Sequence, residues 1–183
     1  LSWYQLTIEP NTMFAYRPPT LPDDDELWDI FEQGHQFLTE AGYQQYETSA
    51  YAKPGFQCQH NLNYWRFGDY LAIGCGAHGK LTFPDGDILR FSKTKHPKGY
   101  LRGEYLYEEK NVEKNDRAFE FFMNRFRLLE AVPKQEFEYY TGLSQSAVKN
   151  QIDFAIQQNY IVETSDFWQI TEHGKLFLNE LLA

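Results

Sequence analysis

The chain has 183 residues, a formal net charge of −9 and two cysteines, Cys58 and Cys75. A chain of this length buries one good core, or one core plus a small satellite domain. The acidic balance excludes general nucleic-acid binding, which needs a basic surface, and so few cysteines argue against a disulfide framework and fit a reducing cytosol.

In chain order, Trp3–Glu9 alternates Tyr4, Leu6 and Ile8 with Gln5, Thr7 and Glu9, the period of a strand, which Pro10 ends. Pro22 and the acidic run from Asp23 to Glu26 suit the positive end of a helix. Leu27, Phe31, Gly34, Leu38 and Ala41 then share one stripe, and Gly42 stands as its stop. Tyr43–Tyr51 reads as a second strand and Tyr70–Ile73 as a short third. Strand, helix, strand in that order predicts a parallel sheet with right-handed crossovers. The opening at Leu1, inside an apparent strand, reads as a piece of something longer. With no run of about 18 apolar residues and no charged-then-apolar leader, neither a membrane span nor a signal peptide is expected.

From Leu81 to Asp116 the pattern loosens around a hairpin turn at Pro84–Asp87. Lys80, Arg90, Lys93, Lys95, Lys98 and Arg102 make this the basic part of the chain, either a solvated linker face or a cationic arm for carboxylates and phosphates. Beyond it the sequence predicts helices over Phe119–Leu129, from Pro133 to a stop at Gly142, and from a Ser144 cap to Asn159. A two-strand ribbon follows, Tyr160–Glu163 and Phe167–Thr171, with its turn at Thr164–Asp166, and Thr171 caps a closing helix from His173 to Leu182. Three helices, a ribbon and a last helix spell a winged helix. Residues 117–183 carry six Lys or Arg against nine Asp or Glu, so this one reads as an accessory or docking module and not as a DNA reader.

The richest chemistry lies in Cys58–Trp65, where a thiol, an imidazole, amides and two large aromatics fall within eight residues. His60 can ligate iron or zinc, while Tyr64 and Trp65 can flank a flat apolar ligand. The competing reading is an ordered loop whose His and Asn tie down the backbone. At the carboxyl ends of the predicted strands stand Glu9 and Asn11, Glu47 and Ser49, and the turn Gly74, Gly76 and His78, with the His60 loop over the same rim. Cys58, His60, Cys75 and His78 can be written as a zinc set, although their spacings are not those of a knuckle. Cys75 beside a histidine can be written as a nucleophile pair. Gly74-x-Gly76 is half of a dinucleotide fingerprint, with no helix clearly following. His35 reads as surface or packing, His173 as part of the last helix cap and His96 as exposed. Haem fits best, with His60, or second His78, as axial ligand.

Leu6–Thr12, Tyr46–Tyr51, the run Cys58-x-His-Asn-x-x-Tyr-Trp65, Ile73–His78 and Trp168–Gly174 together resemble the carboxyl-terminal half of the radical S-adenosylmethionine haem chaperones, relatives of oxygen-independent coproporphyrinogen III oxidase. The resemblance implies the later strands of an incomplete parallel (β/α) barrel over residues 1–80, a basic extension over 81–116 and a winged-helix-like domain over 117–183. It implies haem bound through His60, with Asn61, Tyr64 and Trp65 completing the H-N-x-x-Y-W motif and the iron as the metal. Haem is then delivered to membrane respiratory enzymes by a cytoplasmic protein, peripheral at the inner face of the membrane. The alternative is a fragment of the oxidase itself, acting in porphyrin synthesis. The family's [4Fe-4S] cluster and S-adenosylmethionine motifs are absent from these residues, so radical chemistry is not expected of the chain alone. Edges left by the missing strands predict self-association.

Overall fold

The computed structural model describes residues 1–182, which divide into two compact units, Leu1–Cys58 and Gln59 onward.

In the first unit, α1 (Met13–Tyr16) is a single turn capped by Thr12. Helix α2 (Asp24–Glu40) starts where the acidic run predicts. Its Asp23 carboxylate accepts from Glu26 N at 2.9 Å and the Glu26 carboxylate accepts from Asp23 N at 3.3 Å, a reciprocal capping box. Leu27, Phe31, Gly34, His35 and Leu38 form its covered stripe, while Phe37 stays exposed. Gly34 is required there, because a Cβ would lie 2.4 Å from the Trp3 ring.

The predicted strand over Trp3–Glu9 does not form. Antiparallel pairing is confined to Ser2 opposite Ala50, with Trp3 N donating to Ser49 O and Tyr51 N to Leu1 O, both at 2.8 Å. Alternation alone makes no strand without a neighbouring ladder to satisfy its backbone groups. The predicted single strand over Tyr43–Tyr51 is a tight antiparallel hairpin of β1 (Gln44–Glu47) and β2 (Ala50–Ala52). It turns because the buried Glu47 carboxylate accepts from both the amide and the hydroxyl of Ser49, each at 3.0 Å, offering the chain a local alternative to extension.

The second unit opens with α3 (Gln59–Trp65), followed by a three-stranded antiparallel sheet in the order β3 (His78–Thr82), β4 (Ile88–Lys93), β5 (Leu106–Asn111). The turn at Pro84–Asp87 closes β3 onto β4 as predicted, Phe83 N donating to Asp87 O and Gly86 N to Phe83 O. A short helix, α4 (Pro97–Leu101), links β4 to β5. Tyr70–Ile73 is not a strand; Tyr70 alone bridges to Lys80, antiparallel. Among the described residues every strand pair is antiparallel, which overturns the predicted parallel sheet.

The remaining elements are α5 (Arg117–Arg125), β6 (Val132–Pro133), α6 (Lys134–Thr141), a 3₁₀ turn over Gln145–Val148, α7 (Lys149–Gln157), β7 (Ile161–Glu163), β8 (Phe167–Ile170), α8 (Glu172–Leu176) and α9 (Leu178–Leu182). Gly142 ends α6 in the left-handed conformation, φ 65°. Thr171 caps α8 through Gly174 N at 2.9 Å. Strand β6, absent from the sequence reading, pairs with β8 beside the ribbon in the order β6-β8-β7. The third predicted helix begins as a 3₁₀ turn, and the closing one is split in two at Phe177.

The core of the second unit is aromatic. Phe121, Phe122, Phe126 and Phe137 cluster with Trp168, Ile152 and Ile161, with Ile88 of β4 and with Val112 just after β5, and Phe67, just after α3, joins the same cluster. The segment bearing His60 is therefore tied directly into the core. No helix among the described residues is long and apolar enough to cross a membrane.

Candidate functional site

The segment expected as a loop is helical. Over seven residues the helix sets His60 and Tyr64 one turn apart on a common face, with Leu62 buried between turns. So short a helix has little stability of its own, and the structure holds it from several sides. Phe67 (φ 63°) breaks the helix, and Gly68 fits so closely behind it that a Cβ would stand 2.2 Å from Asn63 Oδ1. Asn63 Nδ2 donates to Asp69 O at 2.9 Å. Arg66 makes a two-pronged pair with Glu130 at 2.8 and 2.7 Å, and Arg125 reaches the same carboxylate at 3.0 Å. The Arg66 hydrogen bond, with that of Arg125, holds the Glu130 carboxyl below its ordinary range against the opposing effect of burial.

Lys80 closes the end of the helix from the sheet. Its side chain is 1% exposed, and its ammonium donates to Phe67 O at 2.9 Å, Asp69 Oδ1 at 2.8 Å and Thr82 Oγ1 at 2.9 Å. It also lies 4.2 Å from the centre of the Phe67 ring. Burial pushes this lysine below its usual value, although the Asp69 carboxylate pulls it up. For Asp69 burial acts upward, but the hydrogen bonds from Lys80 and Thr82 prevail and hold its carboxyl low.

On this support His60 is exposed, its imidazole 4.5 Å from the Tyr64 ring at an interplanar angle of 81°. Tyr64 in turn meets Tyr70 edge to face at 4.3 Å and 78°. Trp65 is half-buried; the Arg127 guanidinium lies 4.5 Å from its ring, and its buried indole N–H has no hydrogen-bond partner among the described residues. Asn61 is half-buried on the same helix. The helix thus offers an open imidazole backed by a fixed aromatic ring, a donor set suited to a porphyrin iron and its flat ring.

The other predicted rim residues do not share this arrangement. Ser49 donates to the Glu47 carboxylate within the first unit, where Glu9 and Asn11 lie exposed around α1, and the predicted strand that would have ended at Glu9 is not formed. In the glycine turn, Gly74 N donates to the Tyr100 hydroxyl and Gly76 N to Thr94 O, both at 3.0 Å, and strand β3 follows from the exposed His78. Its amides are committed to the fold, which does not make a phosphate cradle. The predicted basic arm also changes character: Lys80 is caged, and Arg90 is paired through two nitrogens with Glu120. Lys93 and Lys95 lie over the Phe91 and Tyr107 rings, and Arg102 pairs with Glu104.

Cys58 and Cys75 are free and exposed. No group of three or more His, Cys, Asp or Glu able to hold a metal ion is assembled among the described residues. Two thiols do not suffice for a [4Fe-4S] cluster, which takes three or four thiolates.

Residues 112–177 match the family described as the HemN C-terminal domain. The fold resembles that of coproporphyrinogen III oxidase (HemN) from Escherichia coli, a radical SAM enzyme, with a TM-score of 0.65 at 15% identity over 88% of this chain and 41% of that one. Over its whole length the chain is 91% identical to the haem chaperone HemW of Haemophilus influenzae and 72% identical to HemW of Escherichia coli, and it spans 48% of the length of each. The likeness first read from short motifs therefore holds throughout: the chain resembles the carboxyl-terminal half of the HemW haem chaperones.

Proposed function

We propose that this chain is the haem-binding part of a haem chaperone, in which His60 ligates the iron and Asn61, Tyr64 and Trp65 complete the pocket. The observation that carries this reading is the exposed His60 imidazole set edge-on against a Tyr64 ring that is itself fixed from behind. A ring nitrogen of His60 would supply a lone pair to the iron, and Tyr64 limits the rotation of the imidazole. The name of the 91% identical relative supports haem as that cargo.

On the same reading the parent protein delivers haem to respiratory enzymes from the cytoplasmic side, peripheral to the membrane, and carries its [4Fe-4S] cluster and S-adenosylmethionine outside this chain. Residues 81–116 serve as an extension and 117–183 as a winged-helix-like docking module whose wing is the β7–β8 ribbon.

The test is a haemin titration of the chain followed at the Soret band, beside His60→Ala. Saturable one-to-one binding, weakened by about tenfold or more in the variant, is the expected result. Equal binding by both proteins, with circular dichroism showing both folded, overturns His60 as the ligand.

A further inference from the structure

Resting on that reading, we infer that Tyr70, clamped by Arg90 and Glu120, is a positioning residue for His60. His60 lies in the first turn of a seven-residue helix and is open to solvent, so its own element does little to set the imidazole plane. Its ring neighbour Tyr64 comes from the same helix and moves with it. Tyr70 is different. Its backbone exchanges both N–H···O bonds with Lys80, each at 3.0 Å, so it is anchored to β3. Its hydroxyl accepts from Arg90 Nη1 at 2.9 Å, so it is anchored to β4 as well. Arg90 is fixed by α5, where one oxygen of Glu120 accepts from its Nε at 2.9 Å and its Nη2 at 2.7 Å.

The side chains of this pair are 28% and 22% exposed, which favours a defined geometry over a mobile surface pair. Imidazole orientation is thus set by the chain Glu120, Arg90, Tyr70, Tyr64, His60, which starts on a core helix and ends at the iron ligand. Groups that orient a ligating histidine are worth about 10–100-fold in metal affinity when removed. Tyr70 itself touches Tyr64 and not the ligand, so its effect passes through the ring it holds.

The experiment reads the His60 ring-proton resonances of the haem-free chain by NMR, then the haemin affinity. Tyr70→Ala is expected to shift the His60 resonances and lower haemin affinity by about tenfold. Tyr70→Phe, which keeps the ring, is expected to restore most of the affinity. Glu120→Gln leaves every ring in place and loosens only Arg90; it serves if Tyr70→Ala does not fold, and is expected to shift the same resonances less. His60 resonances unmoved in every folded variant overturn the proposal. Resonances that move while haemin binding ignores His60→Ala support the positioning role and overturn the haem reading instead.

Discussion

The two units of this chain are built on different principles. The second gathers Phe121, Phe122, Phe126, Phe137 and Trp168 into one contiguous core that draws in the sheet, both sides of the ribbon and the residue that ends α3. The buried apolar side chains of the first are few: Leu38, Ala50, Tyr51 and Ala52, while Tyr4, Met13, Tyr16 and Phe37 are each more than 70% exposed. Its order rests on local devices such as the Asp23 capping box, the Glu47–Ser49 turn and Trp3 seated on Gly34. Shared burial scales with the area removed from water, whereas each local bond contributes little by itself. A helix of seven residues can therefore be held rigid in the second unit, by attachment to a core that the helix does not itself have to supply.

The sharpest way to break that contrast is to open the core. Phe121 is fully buried and meets Phe67, Phe122 and Phe137 at centroid distances of 5.3–5.6 Å. Phe121→Ala is expected to destabilise the second unit by about 3–5 kcal/mol, from lost transfer and the cavity left behind. Denaturant unfolding followed by tryptophan fluorescence measures it. Hydrogen exchange of α3 should rise with that of α5, because Phe67 ties the two together; protection that persists in α3 would contradict the attachment.

Acid sharpens the same comparison more gently. Asp69, Glu130 and Glu163 all have carboxyls held below their ordinary values in the folded state. For Glu163 the leading cause is the hydrogen bond from Lys134; for Glu130 it is Arg66; for Asp69 the bonds of Lys80 and Thr82 overcome burial. A carboxyl with a lower folded pKa releases its proton more readily in the native state. Its stabilisation is complete above the ordinary carboxylate range, about pH 4, and is lost as pH falls through the folded value. Since each side chain is more than a third exposed, solvent screens these pairs and the total falls below that of the core truncation. Thermal melts of the second unit are expected to hold from pH 7 to about 5 and to decline steadily below pH 4. Melts independent of pH down to 3 would contradict the pairing.

What was legible in the sequence was local. The Asp23–Glu26 run, Gly42, Gly142 and Thr171 all act within a few residues, and their helix ends appear where predicted. The ribbon and its Thr164–Asp166 turn appear for the same reason. Trp3–Glu9 misled because a period-two pattern reports which face a strand would bury, not whether a neighbour exists to pair with it. The turn within Tyr43–Tyr51 was hidden because it depends on one buried carboxylate folding back on Ser49. His60, Tyr64 and Trp65 could be singled out by residue type, but the helix that presents them carries no strong start or stop signal. Lys80 and Arg90 looked like members of a basic arm because only tertiary structure brings Asp69 and Glu120 to them. Tyr70 was read only as the start of a short strand, since its tie to Arg90, twenty residues away, is made by tertiary structure.

The smallest expected effect belongs to the first unit. Tyr51 is fully buried, and its hydroxyl lies 2.8 Å from His35 Nδ1, joining β2 to the covered stripe of α2. Burial raises the Tyr51 phenol above its ordinary value, so it stays protonated at neutral pH and is a competent donor to the imidazole. Tyr51→Phe keeps the ring and its packing and removes one oxygen. The loss is the net worth of a single hydrogen bond, about 0.5–1.5 kcal/mol, because His35 is only partly covered and can turn its nitrogen to water. Hydrogen exchange over α2 and the β1–β2 hairpin reads the change where it occurs. A rise of up to roughly tenfold there, with α5 unchanged, is the expected outcome. Equal loosening of α5 would mean that the two units share one cooperative core, and the contrast between them would fall.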